Sequence, residues 1–301
     1  MATTRHPPLI VICGPTASGK SSLALTLAEQ YSGFIISADS RQVYRGMDIG
    51  TAKPSVTERR RIPHFLIDVV SPDEPFTVAD YQRLVVDVLS REAGLPFLVG
   101  GTGLYIDAVV ENWEIPHGCS DATHRKKLEH TSMNLFVKRL EEIDPESAAV
   151  IDLKNKRRVI RALEVAEQTG KSFIAQKKKW PFPYRVLRIG MDVPREELIG
   201  RINTRVDAMM THGLLDEVRA LGRRYGWDAP ALSGLGYRQL GAHLRGEMRL
   251  GAAVEHIKIA TRQYAKRQMT WFKRDQSIQW ISDASAAVKL LQTFLANVAQ
   301  G

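Results

Sequence analysis

Hydrophobic positions along this chain occur in short unbroken runs, and longer amphipathic stretches separate the runs. Six of these runs have the length and the apolar composition of buried β-strands. They are Leu9–Cys13, Phe34–Asp39, His64–Asp68, Pro96–Gly101, Val186–Val193 and Ser277–Ser282. In the stretches between them apolar residues recur at helical spacing, as Leu23, Leu27 and Tyr31 do. Strands that alternate with helices predict an α/β fold, in which a parallel sheet carries helices on both faces.

One stretch interrupts this alternation. Between about Trp113 and Trp180 the sequence is charged, has helical spacing and contains no strand-like run. We therefore predict a helical insertion domain at residues 113–180, within a core that residues 1–112 and 181–301 form.

A glycine-rich segment follows the first predicted strand and precedes a predicted helix. It reads GPTASGKS and fits the pattern G-x-x-x-x-G-K-[ST], whose amides, lysine and hydroxyl cradle linked phosphates. We interpret it as a phosphate loop made of Gly14, Pro15, Thr16, Ala17, Ser18, Gly19, Lys20 and Ser21. The core is then P-loop NTPase-like. The loop alone leaves three ligands open: a nucleotide that is hydrolysed, a nucleotide that is only sensed, or a diphosphate that is not a nucleotide.

Two further strand ends carry candidate chemistry. Asp39 ends the second predicted strand, and the segment GGTGLY, which contains Thr102, ends the fourth. Ligands of open α/β sheets bind beside the carboxyl ends of the strands, so both side chains are expected near the phosphate loop. Asp39 could be a general base, a magnesium ligand or only a turn cap, and Thr102 could be only a helix N-cap.

The acidic residue that helps a P-loop hydrolase to hold magnesium is not obvious here. The fourth predicted strand ends in glycines, and Asp68, at the end of the third, is the remaining candidate. No water-activating group follows. This pattern argues against a nucleotide-hydrolysing motor or switch.

The charge of the chain favours a polyanionic partner, because its net charge is +9. The insertion contains the basic runs Lys154–Arg161 and Lys177–Lys179, and a second basic region spans His256–Arg274. If that region is helical, polar residues four apart share one face. They are Lys258, Arg262, Lys266, Thr270 and Arg274. This stripe is either a solvated helix face or a surface that follows nucleic-acid phosphates.

Other signals restrict the location of the protein. No apolar run approaches the ~18 residues of a membrane span, and the first residues do not resemble a signal peptide. The two cysteines, Cys13 and Cys119, match no zinc spacing, and Cys13 lies in an apolar strand, where a structural role is expected. We expect a cytoplasmic protein that does not bind a membrane.

Seven motifs occur in order over nearly the whole chain: GPTASGKS, ISADSRQVY, MDIGTAKP, FLVGGTGLY, RVIRALEV, GLGYRQL and TRQYAKRQMTWF. Many phosphate-binding proteins share the first, whereas DSRQVY, GTAKP and AKRQMTWF are much more specific. Together they resemble the tRNA dimethylallyltransferases, also called tRNA isopentenyltransferases, of the bacterial type. The resemblance implies transfer of a dimethylallyl group from dimethylallyl diphosphate to N6 of adenosine 37 of tRNA, with release of pyrophosphate.

The resemblance also assigns the phosphate loop. It implies that the loop holds the diphosphate of the isoprenoid donor rather than ATP, and that Lys20 and a Mg²⁺ ion at Ser21 stabilise the leaving group. Arg205 is the candidate for a further pyrophosphate contact, and Arg201 and Arg219 are alternatives because they are close in sequence.

For the acceptor, the resemblance implies that Asp39 is the general base and that Thr102 lies near the reacting centre. The adenine leaves its stack, and the residues after Asp39 read it. The implied tRNA contacts are Asp39, Ser40, Arg41, Gln42, Thr102, His124, Arg157, Arg158, Arg161, Gly236, Tyr237, Arg238, Lys266, Arg267, Gln268, Trp271 and Lys273. The segment SGLGYR is less polar than in some relatives, which weakens the case for contacts there.

The expected partners are the tRNA anticodon stem-loop and dimethylallyl diphosphate, and we expect a monomer. The insertion is interpreted as a second lobe that closes over the anticodon arm. Three other functions stay open: a free-nucleotide isopentenyltransferase, a small-molecule kinase and a nucleic-acid-binding ATPase. The insertion and the basic helix argue against the first, because AMP needs no such surface.

Overall fold

The computed structural model describes residues 6–115, 132–176 and 178–300. The chain divides into two compact units. One combines Met1–Val110 with Phe182–Gly301, and the other is Glu111–Pro181. The sequence pattern placed the insertion at 113–180. Within the described ranges, no helix combines the length and the apolar character that crossing a membrane requires.

A six-stranded sheet forms the centre of the first unit. Its strands are β1 (Pro8–Cys13), β2 (Phe34–Ala38), β3 (His64–Phe65), β4 (Pro96–Gly100), β5 (Arg185–Met191) and β6 (Gln279–Ile281). All neighbouring strands are parallel, in the order β3-β2-β4-β1-β5-β6. Each strand lies within one of the six predicted runs or begins one residue before it. The predicted α/β fold with a parallel sheet is confirmed.

The described helices of the first unit are α1 (Lys20–Gln30), α2 (Val56–Arg61), α3 (Val78–Arg91), α4 (Gly103–Val110), α8 (Arg195–Thr211), α9 (Leu214–Tyr225), α10 (Tyr237–Leu244), α11 (Leu250–Phe272) and α12 (Ala284–Gln300). Those of the second unit are α5 (Met133–Ile143), α6 (Pro145–Val150) and α7 (Lys156–Thr169). A 3₁₀ turn, Pro230–Ser233, precedes α10. The second unit has its own apolar core, in which Phe136 and Leu140 pack with Val159 and Leu163.

Alternate residues of β1 are buried on opposite faces of the sheet. Leu9 and Val11 pack with residues of α3 and α4, whereas Ile10 and Ile12 pack with residues of α1 and α12. A strand that is buried on both faces cannot alternate apolar and polar residues, which is why LIVIC is apolar throughout. A third cluster joins the segment after β2 to α8, α9, α10 and α11.

The strand β3 is shorter than the run His64–Asp68 predicted. Leu66 and Asp68 have left-handed backbones, with φ of 61° and 58°, so the extended conformation ends at Phe65. The Asp68 carboxylate forms ion pairs with Lys53 at 2.5 Å and Arg59 at 2.9 Å. Two cations therefore engage the side chain that the sequence offered as a candidate magnesium ligand.

Candidate active site

Three loops leave the same edge of the sheet side by side. In the register of the central strands Ala38 of β2 lies opposite Gly100 of β4, and Gly100 lies opposite Cys13 of β1. Each of these residues ends its strand, so the loops that start at residues 14, 39 and 101 begin at one level. A Cβ atom on Gly100 would lie 2.1 Å from the carbonyl oxygen of Ala38, which requires glycine at this position.

The phosphate loop has the backbone of an anion cradle. Gly14, Ala17 and Gly19 have positive φ angles of 148°, 63° and 92°. The loop leads directly into α1, whose N-terminus has no side-chain cap. The Ser18 side chain is 1% exposed, and its Oγ atom has no hydrogen-bond partner in the described part of the chain. Uncapped amides and a buried unsatisfied hydroxyl fit a ligand with several acceptor oxygens.

Lys20 lies inside this cradle. Its Nζ donates a hydrogen bond to the carbonyl oxygen of Pro15 at 3.0 Å. Burial and, to a smaller extent, the charge of Arg205 lower the pKa of Lys20 to about 8, and the charge of Asp39 opposes this shift. A bound anion would stabilise the ammonium form and offset the cost of burying it.

Two arginines of α8 flank the loop. Burial lowers the pKa of Arg205, and the nearby carboxylate of Asp39 opposes this shift. Arg201 donates to the Ser18 carbonyl oxygen at 3.5 Å and forms an ion pair with Glu197 at 2.6 Å. The structure thus brings Arg205 to the interior side of the loop, beside Lys20 and Asp39, and Arg201 to its exposed side.

The third arginine that the sequence left open, Arg219, lies on α9 and forms an ion pair with Asp216. It makes no described contact with the phosphate loop.

Hydrogen bonds join the loops that follow β2 and β4. The Thr102 N–H donates to the Ala38 carbonyl oxygen at 3.1 Å, and the Ser40 N–H donates to Thr102 Oγ1 at 3.1 Å. Thr102 directly precedes α4, and its carbonyl oxygen accepts from Ile106 N–H at 3.2 Å. Its side chain therefore connects two loops rather than capping its own helix.

Asp39 is half-buried at the centre of this arrangement. Its Oδ1 accepts from Arg41 N–H at 2.8 Å and from Gln42 N–H at 3.4 Å, so one oxygen caps the turn. Within the described ranges no hydrogen-bond donor contacts Oδ2. Asp39 can therefore cap a turn with one oxygen and accept a proton with the other.

The side chains of Arg41 and Gln42 are both engaged within the protein. Arg41 donates to the carbonyl oxygens of Pro230 and Ala231 at 3.3 Å and 3.4 Å. Gln42 Oε1 accepts from Ser37 Oγ at 2.8 Å. Its Nε2 donates to the carbonyl oxygens of residues 51 and 52 at 3.3 Å and 3.4 Å. Their predicted contacts with a flipped base stay predictions.

The GYR motif at residues 236–238 lies at the start of α10. Tyr237 is 1% exposed, and its hydroxyl donates to Glu217 Oε1 at 2.5 Å. The same carboxylate accepts from three consecutive amides, those of residues 48, 49 and 50, at 2.7–3.1 Å. Glu217 therefore joins two of the sequence motifs, whereas Gly236 has a φ of 85° and Arg238 is exposed.

The inner face of α11 contributes Tyr264, which is not among the predicted site residues, and also Gln268 and Trp271, which are predicted only as tRNA contacts. Tyr264 interacts with the side chain of Thr102, and burial raises the pKa of its hydroxyl to about 12. Gln268 contacts two of the loops, and Trp271 Nε1 donates to Asp107 Oδ2 at 2.7 Å. The signal was present, because residues 264, 268 and 271 share one helical face opposite the basic one. The predicted tRNA contacts of Gln268 and Trp271 fall on this inner face.

The remaining predicted contacts lie at the surface or outside the described ranges. Lys266, Arg267 and Lys273 are exposed at or next to the end of α11, and Arg157 and Arg158 are exposed on α7.

Arg161 of α7 lies 3.5 Å from Glu164. His124 and Cys119 fall outside the residues that the structure describes. Burial raises the pKa of the Cys13 thiol to about 12, which agrees with a structural role.

Known proteins are similar to this chain over most of its length. A model of the IPP transferase family matches residues 42–275. The tRNA dimethylallyltransferase of Roseiflexus sp. (strain RS-1) is 49% identical over 276 residues, which cover 89% of this chain and 90% of that protein. The enzyme of the same name from Microcystis aeruginosa (strain NIES-843 / IAM M-2473) is 47% identical over 281 residues, 93% of this chain and 89% of that one.

Solved structures agree with these matches. The full-length tRNA isopentenylpyrophosphate transferase from Bacillus halodurans superposes with a TM-score of 0.72 at 38% identity, over 98% of this chain and 97% of that one. A eukaryotic dimethylallyltransferase acting on tRNA gives a TM-score of 0.82 at 27% identity, over 97% and 80% of the two chains. The resemblance that the seven motifs indicated is confirmed, and the chain belongs to the IPP transferase family.

Proposed function

We propose that this protein transfers a dimethylallyl group from dimethylallyl diphosphate to N6 of adenosine 37 of tRNA. The observation that carries the proposal is the placement of a phosphate cradle after β1 and a half-buried carboxylate after β2 at the same edge of the sheet, with only the loop after β4 between them. The cradle contains Lys20, and the carboxylate belongs to Asp39. A prenyl transfer needs these two functions together: a site for a diphosphate leaving group and an acceptor for the proton of the nucleophile.

The phosphate loop binds the two linked phosphates of the donor. Loop amides, the Ser18 hydroxyl and the Lys20 ammonium supply hydrogen bonds, and Arg205 adds positive charge. Ser21, the first residue after Lys20, would hold a Mg²⁺ ion. A serine hydroxyl beside bound phosphates is a suitable oxygen ligand for Mg²⁺, and the described residues contain no group of three His, Cys, Asp or Glu side chains that could hold a metal ion. When bound, the Mg²⁺ ion supplies further neutralisation of the leaving group.

The reaction exchanges one bond for another. The N6 lone pair of adenine forms a bond to the allylic carbon, and the C–O bond to the diphosphate breaks. Pyrophosphate leaves with the electron pair, and Lys20 and Arg205 stabilise its growing negative charge. Asp39 accepts the proton that N6 loses, at the oxygen that does not cap the turn. Thr102 and Tyr264 border the carboxylate and keep its loop in place.

The acceptor is a folded RNA, and exposed cations of this protein would contact its phosphates. Lys266 and Arg267 are exposed on α11, Lys273 is exposed directly after it, and Arg157 and Arg158 lie on the separate second unit. We propose that the second unit grips the anticodon arm as a lobe of its own. We further propose a monomer that works in the cytoplasm, where its tRNA substrate is found.

The proposal is tested by offering the protein labelled donors and acceptors. Dimethylallyl diphosphate labelled in the prenyl group should transfer its label to an unmodified tRNA or to an anticodon stem-loop. A stem-loop with guanosine at position 37 is the matched control and should stay unlabelled. Transfer to AMP instead of tRNA would identify a free-nucleotide enzyme. Consumption of ATP without prenyl transfer would indicate a kinase or an ATPase, and either result would reject the proposal.

The exposed cations at the C-terminal end of α11 lead to a prediction for RNA binding. Replacement of Lys266, Arg267 and Lys273 by alanine should weaken tRNA binding and reduce its dependence on salt. The slope of the logarithm of the binding constant against the logarithm of salt should fall by roughly one for each lost phosphate contact. Binding measured between low and moderate salt checks this. Lys289→Ala, which removes one exposed charge from α12, is the control and should leave the slope unchanged. An unaltered slope in the triple variant would assign these side chains to solvent.

A further inference from the structure

The carboxamide of Gln268 bridges two of the three loops at the site. Its Oε1 accepts from the Thr16 N–H of the phosphate loop at 2.9 Å, and its Nε2 donates to the Gly101 carbonyl oxygen at 2.8 Å. Gln268 is 6% exposed and lies 252 residues from Thr16 in sequence. Since both partners are backbone groups, the carboxamide constrains the main chain of each loop directly.

The surroundings of this contact leave little room for another arrangement. A Cβ atom on Gly101 would lie 2.1 Å from Gln268 Nε2, so a side chain at position 101 would displace the carboxamide from this position. A carboxamide offers an acceptor and a donor on one planar group, and both are used here. Glutamate would offer acceptors only, and methionine, which has similar length, would leave both backbone groups without a partner.

Other contacts of α11 point to the same two loops. One turn before Gln268, Tyr264 interacts with Thr102, whose Oγ1 accepts from the Ser40 N–H of the loop that contains Asp39. The inner face of this helix thus contacts the phosphate loop and the Gly101–Thr102 loop. The Gly101–Thr102 loop is in turn hydrogen-bonded to the loop that contains Asp39.

We propose that Gln268 is a positioning residue for prenyl transfer, which fixes the separation between the phosphate loop and the Gly101–Thr102 loop. This inference rests on the proposed function. The distance between the allylic carbon of a bound donor and Asp39 depends on that separation. The phosphate loop holds the donor, and the Gly101–Thr102 loop is hydrogen-bonded, from Ser40 N–H to Thr102 Oγ1, to the loop that contains Asp39. A displacement of about 1 Å can lower a rate by roughly 10²-fold, so a single bridging side chain has a large effect.

The position of Gln268 separates this role from RNA binding. Its neighbours Lys266 and Arg267 are exposed to solvent, whereas its own carboxamide is buried against the loops. Substitution at position 268 should therefore alter donor binding and turnover and leave RNA affinity intact. Substitution of Lys266, Arg267 and Lys273 should weaken RNA binding and leave donor binding and turnover intact.

The test compares Gln268→Met and Gln268→Glu with the same two changes at Gln263, which is exposed on the same helix. Gln268→Met should lower kcat about 10²-fold and weaken the binding of pyrophosphate, measured by calorimetry, about 10-fold. Its tRNA affinity should stay within about twofold of the wild type. The Gln263 variants should match the wild type in all three measurements.

Gln268→Glu adds a signature that a purely structural role would not produce. A protonated carboxyl group has the same acceptor and donor as the carboxamide, whereas the carboxylate cannot donate to the Gly101 carbonyl oxygen. The activity of this variant relative to the wild type should therefore rise as pH falls through the pKa of the new carboxyl group. Taking the ratio removes any pH dependence that both proteins share.

Three outcomes would overturn the proposal. One is a loss of tRNA affinity in Gln268→Met with unchanged pyrophosphate binding. Another is reduced thermal stability with wild-type kcat and pyrophosphate affinity below the unfolding range. The third is a pH-independent ratio for Gln268→Glu. Pyrophosphate binding requires no acceptor, so it tests the bridge even if the wild-type protein transfers no prenyl group, which would reject only the proposed function.

Discussion

Asp39→Asn should lower the rate of prenyl transfer by roughly 10²–10⁴-fold, the range expected when a general base is removed. Asparagine keeps an oxygen that can accept from the Arg41 and Gln42 amides at the positions where Asp39 Oδ1 does now. The turn should therefore survive, and the loss should be confined to the proton acceptor. Single-turnover measurements with saturating donor and tRNA check the prediction, because they exclude product release.

Donor affinity should change far less than the rate in this variant, since Asp39 does not belong to the phosphate loop. Asp73→Asn, in an exposed loop, removes the same charge elsewhere and should behave as the wild type. A wild-type single-turnover rate in Asp39→Asn would mean that the carboxylate is only a turn cap and that another group takes the proton.

Lys20→Ala should lower kcat by roughly 10²–10³-fold, as expected when one group that stabilises the developing charge is lost. The ammonium contributes to the diphosphate site, whereas the predicted RNA contacts Lys266, Arg267 and Lys273 are exposed to solvent. Pyrophosphate binding should therefore weaken strongly, whereas tRNA affinity should be preserved. Calorimetry with pyrophosphate and a filter-binding measurement with tRNA separate the two effects. Loss of tRNA binding with intact pyrophosphate binding would contradict the assignment of the loop.

The pKa of Lys20 adds a dependence on pH to the same prediction. Because burial lowers this pKa to about 8, the free protein carries the ammonium below about pH 8 and the neutral amine above it. A diphosphate binds the ammonium form, so binding above pH 8 takes up a proton. Affinity should then fall by up to about tenfold per pH unit above pH 8. Below pH 8 the ammonium is already formed, so its ionisation should not alter the affinity.

Lys20→Arg is the control for this dependence, since an arginine stays charged throughout the range. Any slope that persists in this variant belongs to the ionisation of the ligand itself. A wild-type slope equal to that of Lys20→Arg would show that Lys20 is already charged at pH 9 in the free protein.

The sequence predicted the parts of the molecule that short-range patterns specify. The apolar run before Gly14 indicated a strand that is buried on both faces, and the glycine pattern after it indicated the loop. The parallel sheet followed from alternation, and the placement of Asp39 and Thr102 near the loop followed from the rule for strand ends. These inferences needed only neighbouring residues and a general property of open sheets.

Contacts between distant segments could not be predicted in the same way. The Gln268 bridge joins positions 252 residues apart, and the Glu217 carboxylate meets amides about 168 residues away. No local pattern distinguishes a buried glutamine from an exposed one on a basic helix, so Gln268 was grouped with its charged neighbours. The early end of β3 also depends on left-handed residues at 66 and 68, where neither residue is glycine.

The strand order has a consequence for synthesis on the ribosome. β1 lies between β4 and β5, but the whole second unit is translated between these two partners. At about 5–20 residues per second, β5 emerges on the order of 10–30 s after β1. During that interval the most apolar strand of the sheet has an unpaired edge, which is a site for incorrect pairing between nascent chains. Chaperone demand during translation should therefore be greatest before residue 191 has left the exit tunnel.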